Sequence, residues 1–421
     1  MAKNPGKAGS LRARVGSGGT LQVPEEVRES WGLAPQAELL IEETADGLVL
    51  RPADPPLRKV YVEPTAACNL SCKTCVRNTW AEPMGSMPLS TYRRLVEGLR
   101  EVGSLHTMAF WGIGEPLVHP GIVEMVALAH DLGVRTEMIS NGLLLDQARA
   151  RGLIEAGLDS LVLSVDGATP EAHAGARPGA DLGTVEGSAA LLHRLRQEMG
   201  RINPEIGLEF VATRRNLAEL PGLRRLALHM KASFVVVTNV LPYCAEFKDD
   251  ILYGLLPTPP QAERSFWRPE MVLPRIDARS ETLGPLAGLM QHVGLLDPLH
   301  GRPAGGDSYC RFVREGSAAV SWDGSVSPCV PLMHSYTCYV LGREKAMRRY
   351  VLGNVDDVPL PSIWAKDEYR AFRERVIAFD FSPCVDCGGC TFAETNEEDC
   401  YGNPFPVCGD CLWARGIIQC P

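Results

Sequence analysis

The 421-residue sequence predicts an α/β protein whose core is a partial (β/α)6 barrel of parallel strands. Two observations support this prediction. Between residues 59 and 240, short β-branched runs alternate with longer amphipathic stretches, which is the pattern of strand–helix–strand units. On either side the composition changes, to a small strand-rich module in front and a cysteine-rich region behind. The expected division is therefore 1–54, 55–250, a connection over 251–309, and 310–421.

The small module is predicted to hold a short strand, a helix over 25–31 and a hairpin that turns at Asp46-Gly47. The linker that follows is Asp54-Pro55-Pro56. This pattern resembles the AbrB/MazE/SpoVT swapped-hairpin domains, in which two chains interleave and which often bind DNA. Residues 1–52 carry six basic and seven acidic side chains, a weak footprint for DNA. We therefore expect a homodimer or a docked partner here rather than DNA.

The barrel is expected to use six strands, each followed by a helix except the last. Ligands of such sheets bind at the carboxyl ends of the strands, so functional residues are expected there. The predicted strands are 59–63, 107–111, 134–140, 160–166, 206–213 and 233–240.

Composition limits the class of protein. The 45% hydrophobic and 22% charged fractions are typical of a folded globular chain. No apolar run reaches the roughly 18 residues that span a bilayer, and the start, MAKNPGKAGS, lacks the apolar segment of a secretory signal. A net charge of −9 argues against a general nucleic-acid surface. We expect a cytoplasmic protein that does not enter the membrane.

Three cysteines follow the first predicted strand, as Cys68-x3-Cys72-x2-Cys75. Close-set cysteines in a cytosolic chain of this size bind metal more often than they form disulfides. Three thiolates on one loop leave a metal centre with an open position, which a catalytic centre needs. Spacing alone leaves open a zinc site that a distant Cys or His would complete.

Later strand ends carry further motifs, and together they resemble the radical SAM superfamily. Gly112-Ile113-Gly114-Glu115-Pro116 follows the second strand, Ser140-Asn141-Gly142 the third, and Ser164-Val165-Asp166-Gly167 the fourth. The resemblance implies a [4Fe–4S] cluster on Cys68, Cys72 and Cys75. It also implies an S-adenosylmethionine site that uses Gly112, Gly114, Glu115, Pro116, Ser140, Asn141, Ser164, Asp166 and Arg177. Thr74 departs from the family, which usually has a bulky apolar or aromatic residue there.

The chemistry that this resemblance implies is reductive cleavage of S-adenosylmethionine to methionine and a 5′-deoxyadenosyl radical, which abstracts hydrogen from a C–H bond. The cofactor performs the difficult step, and the protein positions and shields it. A low-potential electron donor and an anaerobic or microaerobic setting are implied as well.

The C-terminal cysteines begin as Cys310-x13-Gly324-x4-Cys329, which resembles the SPASM extension that holds auxiliary iron–sulfur clusters. Their later spacing departs from that family's usual order, and a pair of zinc knuckles is the alternative. Two auxiliary clusters need eight thiolates and ten are present. We expect Cys338 to be a bystander and Cys244 to be a small buried hydrophobe. The expected ligands are Cys310, Cys329, Cys384, Cys387, Cys390, Cys400, Cys408, Cys411 and Cys420.

Three local sequence segments suggest a substrate. The segments 59–87, 240–250 and 398–421 resemble the maturases associated with tungsten-dependent aldehyde oxidoreductases, which implies that enzyme or its tungstopterin cofactor as substrate and partner. One alternative is a SPASM-type enzyme that modifies a peptide or protein, as sulfatase maturases and ribosomal-peptide crosslinking enzymes do. Another is a metal-stapled DNA-binding regulator, which leaves the later strand-end motifs unexplained.

Overall fold

The computed structural model describes residues 13–30, 33, 38–44, 47–80, 82–254, 270–272, 274, 276–277, 279–290, 309–384 and 390–419. In the N-terminal module, antiparallel pairing confirms the predicted hairpin. Its resemblance to a swapped-hairpin domain remains a prediction. The elements are β1 (Arg14–Val15), β2 (Leu21–Gln22), α1 (Glu25–Ser30), β3 (Leu39–Thr44) and β4 (Gly47–Pro52), with β1 paired to β2 and β3 to β4.

The core alternates strands and helices, and all six predicted strands are confirmed to within two residues at each end. In chain order the elements are β5 (Lys59–Val62), α2 (Leu89–Leu99), β6 (Thr107–Phe110), α3 (Ile122–His130), β7 (Arg135–Ser140), α4 (Gln147–Glu155), β8 (Ser160–Ser164), α5 (Pro170–Ala176), α6 (Leu182–Glu198), β9 (Glu205–Ala212), α7 (Leu220–His229) and β10 (Phe234–Asn239).

The connection and the C-terminal region contain further elements. Within the connection a helix begins at Ser280, and residues 291–308 lie outside the described ranges. The elements are β11 (Glu270–Val272), α8 (Ser280–Met290), α9 (Arg311–Arg314), β12 (Ser317–Val320), β13 (Ser325–Ser327), β14 (Tyr336–Val340), β15 (Arg343–Met347), β16 (Gly353–Asn354), α10 (Leu360–Trp364) and α11 (Asp367–Ala378).

One sheet joins the core to the C-terminal region. Its order is β11-β10-β9-β8-β7-β6-β5-β12-β13-β16, and the strands from β11 to β12 are parallel. Parallel β12 pairs with the first barrel strand, in the register Val320 to Val62. The C-terminal region therefore extends the edge of the barrel. As a consequence, Cys310 and Cys329 lie just outside strands of the same sheet.

Burial explains the local structure. All five residues of β8 are buried, as expected for a strand with both faces covered. Helix α2 buries Tyr92, Leu95 and Leu99 on one face, and each such side chain stabilises the fold by about 1.5–3 kcal/mol. Asp146 caps α4 by accepting a hydrogen bond from the Arg149 backbone N–H at 2.8 Å. Within the described residues, no helix has the length and apolar character needed to cross a membrane.

Candidate functional site

The cysteine loop after β5 is fixed by contacts to its own sulfurs and carbonyls. The backbone N–H of Leu70 donates to Cys68 Sγ at 3.4 Å, and Arg77 Nε donates to Cys75 Sγ at 3.3 Å. Arg77 also donates to the Leu70 carbonyl at 2.5 Å. Arg77 was not predicted from the sequence, although a cation two residues after the last cysteine of the loop is a recognisable signal. The loop thus presents three thiols with donors already aimed at two of them.

The three thiols of this loop lie near enough to influence one another. Burial raises the pKa of Cys68, and it raises the pKa of Cys72 to about 11, with nearby thiols adding to both shifts. A thiol with a raised pKa stays protonated near neutral pH unless a metal displaces its proton. The raised pKa values of Cys68 and Cys72 therefore argue against a free thiolate nucleophile on this loop.

Glu115 links the second motif to the third. Its carboxylate, 3% exposed, accepts hydrogen bonds from Ser140 Oγ at 2.7 Å and from the backbone N–H groups of Asn141 at 2.7 Å and Leu117 at 3.0 Å. Burial raises the pKa of Glu115 although these donors oppose the rise. The acid therefore holds the two turns together at the carboxyl edge of the sheet.

Asn141 continues this network to the cysteine loop, since its Nδ2 donates to Asn69 Oδ1 at 2.8 Å. Two glycines allow the close packing. A Cβ on Gly114 would lie 2.2 Å from the Thr65 carbonyl oxygen, and Gly142 has a φ of +75°. The structure thus brings together the first three predicted motifs.

Asp166 and Arg177 form a buried ion pair on the other side of the site. Arg177 Nε donates to Asp166 Oδ2 at 2.7 Å, with the two side chains 12% and 2% exposed. The other Asp166 oxygen accepts the Val211 backbone N–H at 3.1 Å. The charge of Arg177 reaches Cys72, lowering its pKa against the effect of burial. A fixed cation therefore lies beside the cysteine loop.

Two further polar residues, Asn216 and Glu209, lie on this side of the site, and neither was predicted from the sequence. Asn216 donates to the carbonyls of Asp166 at 3.0 Å and Val211 at 2.9 Å. Glu209 lies on β9 with Ser164 Oγ 3.5 Å away, and burial raises its pKa to about 7. Glu209, the carboxylate in the middle of the apolar strand EIGLEFVA, could have been recognised as unusual.

A cavity of about 260 Å³ opens beside these residues. It is bordered by Lys73 and Thr74 of the cysteine loop, by Asp166 and by Asn216. A larger cavity of about 330 Å³ lies at the opposite ends of the strands, against Leu40, Arg58 and His106. Only the first cavity borders the strand-end motifs, so we take it as the candidate ligand site.

A buried histidine ties the C-terminal region to this edge. His334 Nε2 lies 2.8 Å from Glu63 Oε2, and its Nδ1 lies 2.8 Å from Glu82 Oε2. Burial lowers the pKa of His334, but the two carboxylates outweigh this and raise it overall. Glu63 also accepts the backbone N–H of Ile113 at 2.9 Å. Glu63 thus connects the C-terminal region to the second motif.

A first set of C-terminal thiols gathers Cys310, Cys329, Cys408 and Cys411. Cys310 directly precedes α9 and Cys329 follows β13. Cys329 lies within electrostatic range of the other three. Burial raises the pKa of Cys310 to about 12 and that of Cys408 well above its ordinary value. Three of the four line one cavity of about 40 Å³. The cavity beside these thiols is thus much smaller than the one beside the front loop.

The remaining expected ligands divide between described and undescribed residues. Cys384 and Cys400 lie within electrostatic range of each other, and Cys390 and Cys400 are exposed. Cys387 and Cys420 lie outside the described residues. Cys338 is 1% exposed and lines the 40 Å³ cavity beside the first set. Cys244 is half-buried, so the expectation of a buried position holds only partly.

The thiol sets fit iron–sulfur clusters by their chemistry. All described cysteines are free of disulfide bonds. Among the described residues, no three Cys, His, Asp or Glu side chains surround one point closely enough to hold a single metal ion. Groups of soft thiolate donors, three at an open site and four at a closed one, are the ligands of cubane clusters.

Comparison with known proteins agrees with this chemistry. Residues 62–202 match the radical SAM superfamily, and residues 310–391 match the SPASM iron–sulfur cluster-binding domain. The first domain implies a [4Fe–4S] cluster and S-adenosylmethionine, and the second binds auxiliary iron–sulfur clusters. These are therefore cofactors of this chain.

Relatives cover most of the chain. It is 31% identical over 370 residues to the tungsten-containing aldehyde ferredoxin oxidoreductase cofactor-modifying protein of Pyrococcus furiosus, covering 87% of this chain and 97% of that protein. It is 31% identical over 212 residues to PqqA peptide cyclase of Gluconobacter oxydans, covering 50% of this chain and 56% of that enzyme. Streptococcus suis SuiB bound to precursor peptide SuiA shares the fold, with a TM-score of 0.54 at 15% identity over 82% of this chain and 72% of that chain. The chain belongs to the radical SAM superfamily, as an enzyme that carries a C-terminal SPASM domain.

Proposed function

We propose that this enzyme matures a tungstopterin-dependent aldehyde oxidoreductase, by modifying that enzyme or its cofactor. The observation that supports this most is the 31% identity to a protein named for modifying the cofactor of a tungsten-containing oxidoreductase, which extends over 97% of that protein.

In this proposal Cys68, Cys72 and Cys75 hold the catalytic cluster. When bound, the cluster and S-adenosylmethionine supply one-electron cleavage chemistry that removes hydrogen from an unactivated C–H bond. The chain's own groups orient and shield that chemistry. Arg177, fixed by Asp166, offers a positive charge to a ligand carboxylate, and Glu115 keeps the neighbouring turns in place.

All nine predicted contacts of S-adenosylmethionine belong to the same proposal. The supporting observation is that the turns that carry these residues meet at one edge of the sheet, beside the 260 Å³ cavity. Thr74 borders that cavity in place of the family's bulky residue. The residues concerned are Gly112, Gly114, Glu115, Pro116, Ser140, Asn141, Ser164, Asp166 and Arg177.

We assign the auxiliary clusters from the same geometry. Cys310, Cys329, Cys408 and Cys411 would hold the first cluster, since all four lie within electrostatic range of one another. The second cluster would use ligands from the other expected cysteines, which leaves Cys338 as a spare thiol. Those cysteines are Cys384, Cys387, Cys390, Cys400 and Cys420.

The partners and setting follow from this function. A low-potential electron donor reduces the clusters, and both the enzyme and this donor are located in the cytoplasm. Homodimerisation through the N-terminal module is supported by its exposed apolar side chains, with Val15 76%, Ile41 66% and Leu48 69% exposed. Deleting residues 1–54 is expected to convert a dimer to a monomer in light scattering.

Modification of a peptide is the second candidate function. It is supported by the 31% identity to PqqA peptide cyclase, although the chain spans only about half of that enzyme. The two candidate functions differ in the substrate that stimulates turnover, which is the tungsten oxidoreductase in the first and a peptide in the second. The third reading, a metal-stapled DNA-binding regulator, stays an alternative, and the radical SAM match over residues 62–202 supports an enzyme instead.

The test is anaerobic. The reconstituted enzyme is reduced in the presence of S-adenosylmethionine, and 5′-deoxyadenosine is quantified with and without purified tungsten oxidoreductase lacking its mature activity. We expect stimulated turnover and a mass change in that protein or its pterin. Stimulation by a precursor peptide alone would favour the second candidate. Cys244→Ala serves as the active control and Cys68→Ala as the inactive one.

A further inference from the structure

Lys345 occupies an unusual place between the two sets of C-terminal cysteines. It lies on β15 and is only 3% exposed. Its Nζ donates to Asp410 Oδ2 at 2.7 Å and to the Thr395 carbonyl at 2.7 Å. Asp410 is in the loop between Cys408 and Cys411, and Thr395 follows Cys390. One buried ammonium group thus connects the loops that carry the two sets.

The same ion pair borders the sulfurs of the first set. Lys345 and Asp410 line the cavity of about 40 Å³ that Cys329, Cys408 and Cys411 also line. Across the strand pair, Lys345 faces Cys338 in the β14–β15 register. The cavity is otherwise mostly apolar, so few solvent dipoles screen these charges.

Burying an ion pair is costly, because both charges lose their hydration and their mutual attraction often no more than offsets that loss. Apolar side chains of similar volume would connect the two loops at least as stably. Lysine is among the residues least often buried. The position of this charge therefore calls for an explanation other than stability.

We propose that the Lys345–Asp410 pair tunes the reduction potentials of the auxiliary clusters, with Lys345 favouring their reduced forms and Asp410 opposing this. The inference rests on the proposed assignment of the C-terminal cysteines as cluster ligands. Reduction adds one electron to a cluster already negative from its four thiolates, and no bond forms or breaks. A nearby cation stabilises the added negative charge and a nearby anion destabilises it.

The two charges therefore make opposite predictions. Lys345→Met leaves the Asp410 charge unpaired and is expected to lower the potential of the first auxiliary cluster. Asp410→Asn leaves the lysine unpaired and is expected to raise it. The double variant returns towards the wild-type potential, because both charges are gone. A clamp that acts only by holding the loops together cannot produce shifts of opposite sign.

The experiment is a redox titration of the full-length, reconstituted enzyme, followed by electron paramagnetic resonance. The Cys68→Ala/Cys72→Ala/Cys75→Ala background removes signals from the front cluster. We expect each single charge variant to change the ratio of reduced to oxidised cluster at fixed potential by about tenfold, which is about 59 mV for one electron. Cys338→Ala, a neutral change at the facing position, is the matched control and should leave the ratio unchanged.

Shifts of the same sign in both variants, or none with full iron content, would overturn the inference. If Lys345→Met loses a cluster, the sign of the Asp410→Asn shift decides, and Lys345→Arg should keep the wild-type potential. Failure of the proposed assignment looks different. In that case the unmodified C-terminal region would contain zinc, or would show no cluster signal in any variant.

Discussion

The chain places cysteines in two contrasting surroundings. At the front loop, backbone and arginine donors point at the sulfurs, a buried Asp166–Arg177 pair lies alongside, and a cavity of about 260 Å³ opens next to them. In the first C-terminal set, three of the four thiols line a mostly apolar cavity of about 40 Å³, which the Lys345–Asp410 pair also lines. The cavity beside the front loop is thus several times larger than the one beside the first C-terminal set.

This difference separates a reaction site from an electron-transfer site. An open metal position is useful only where a ligand can enter and be oriented by fixed charges. A fully ligated cluster in a small apolar space reorganises little and is suited to passing electrons. The same residue type therefore serves two purposes, and neighbouring side chains determine which one.

The largest effect is expected from removing a front ligand. Cys68→Ala should abolish formation of 5′-deoxyadenosine, because three thiolates are the minimum that holds the front cluster. Iron content should fall from about twelve to about eight atoms per chain, since the two auxiliary clusters remain. Iron analysis and product quantification under anaerobic conditions measure both.

Cys244→Ala is the matched control, since this cysteine belongs to neither set. It should keep full iron content and activity. If Cys68→Ala still cleaved S-adenosylmethionine, the front loop would not be the reaction site, and the two cysteine regions would not differ in the way described above.

Removing a C-terminal ligand should have a different effect. Cys408→Ala is expected to lose about four irons but to keep cleavage of S-adenosylmethionine without substrate, because the front loop is intact. Turnover that depends on the oxidoreductase should be lost. Equal loss of both activities would show that the two regions do not work separately.

These contrasts were only partly readable from the sequence. The six strands and their motifs were predictable because β-branched runs and turn residues are local signals. The joining of β12 to β5 was not, since a run of Ser317–Val320 carries little alternation and lies more than 250 residues from its partner. The pairing of Lys345 with Asp410 is also long-range. Contacts of this kind depend on how the loops close in three dimensions.

An intermediate effect is expected at the ion pair beside the front loop. Arg177→Met leaves the Asp166 carboxylate, 2% exposed, without its partner, which should destabilise the fold by about 3 kcal/mol. Affinity for S-adenosylmethionine should fall about 10- to 100-fold, the value of a hydrogen bond to a charged group. Calorimetric titration and thermal unfolding measure the two effects.

Arg177→Lys keeps the charge but not the planar geometry, so it should recover part of the affinity. Unchanged affinity in Arg177→Met would mean that the cation supports the fold without meeting the ligand. The front region would then resemble the C-terminal one in lacking a charge that orients a substrate.

The smallest effect concerns Glu209, whose pKa burial raises to about 7 from an ordinary value of 4.5. The folded state then holds a proton that the unfolded chain releases, so stability is full below about pH 4.5 and falls as pH rises to about 7. The loss of stability reaches about 3 kcal/mol.

Glu209→Gln lacks this titration. Its stability relative to the wild type should therefore rise from about pH 5 to about pH 8, and urea unfolding at the two pH values measures that difference. Glu198→Gln, an exposed control, should show the wild-type pH dependence. If Glu209→Gln also shows the wild-type pH dependence of stability, the Glu209 carboxylate is ionised in the folded protein. The charged part of the front site would then include Glu209 as well as Asp166 and Arg177.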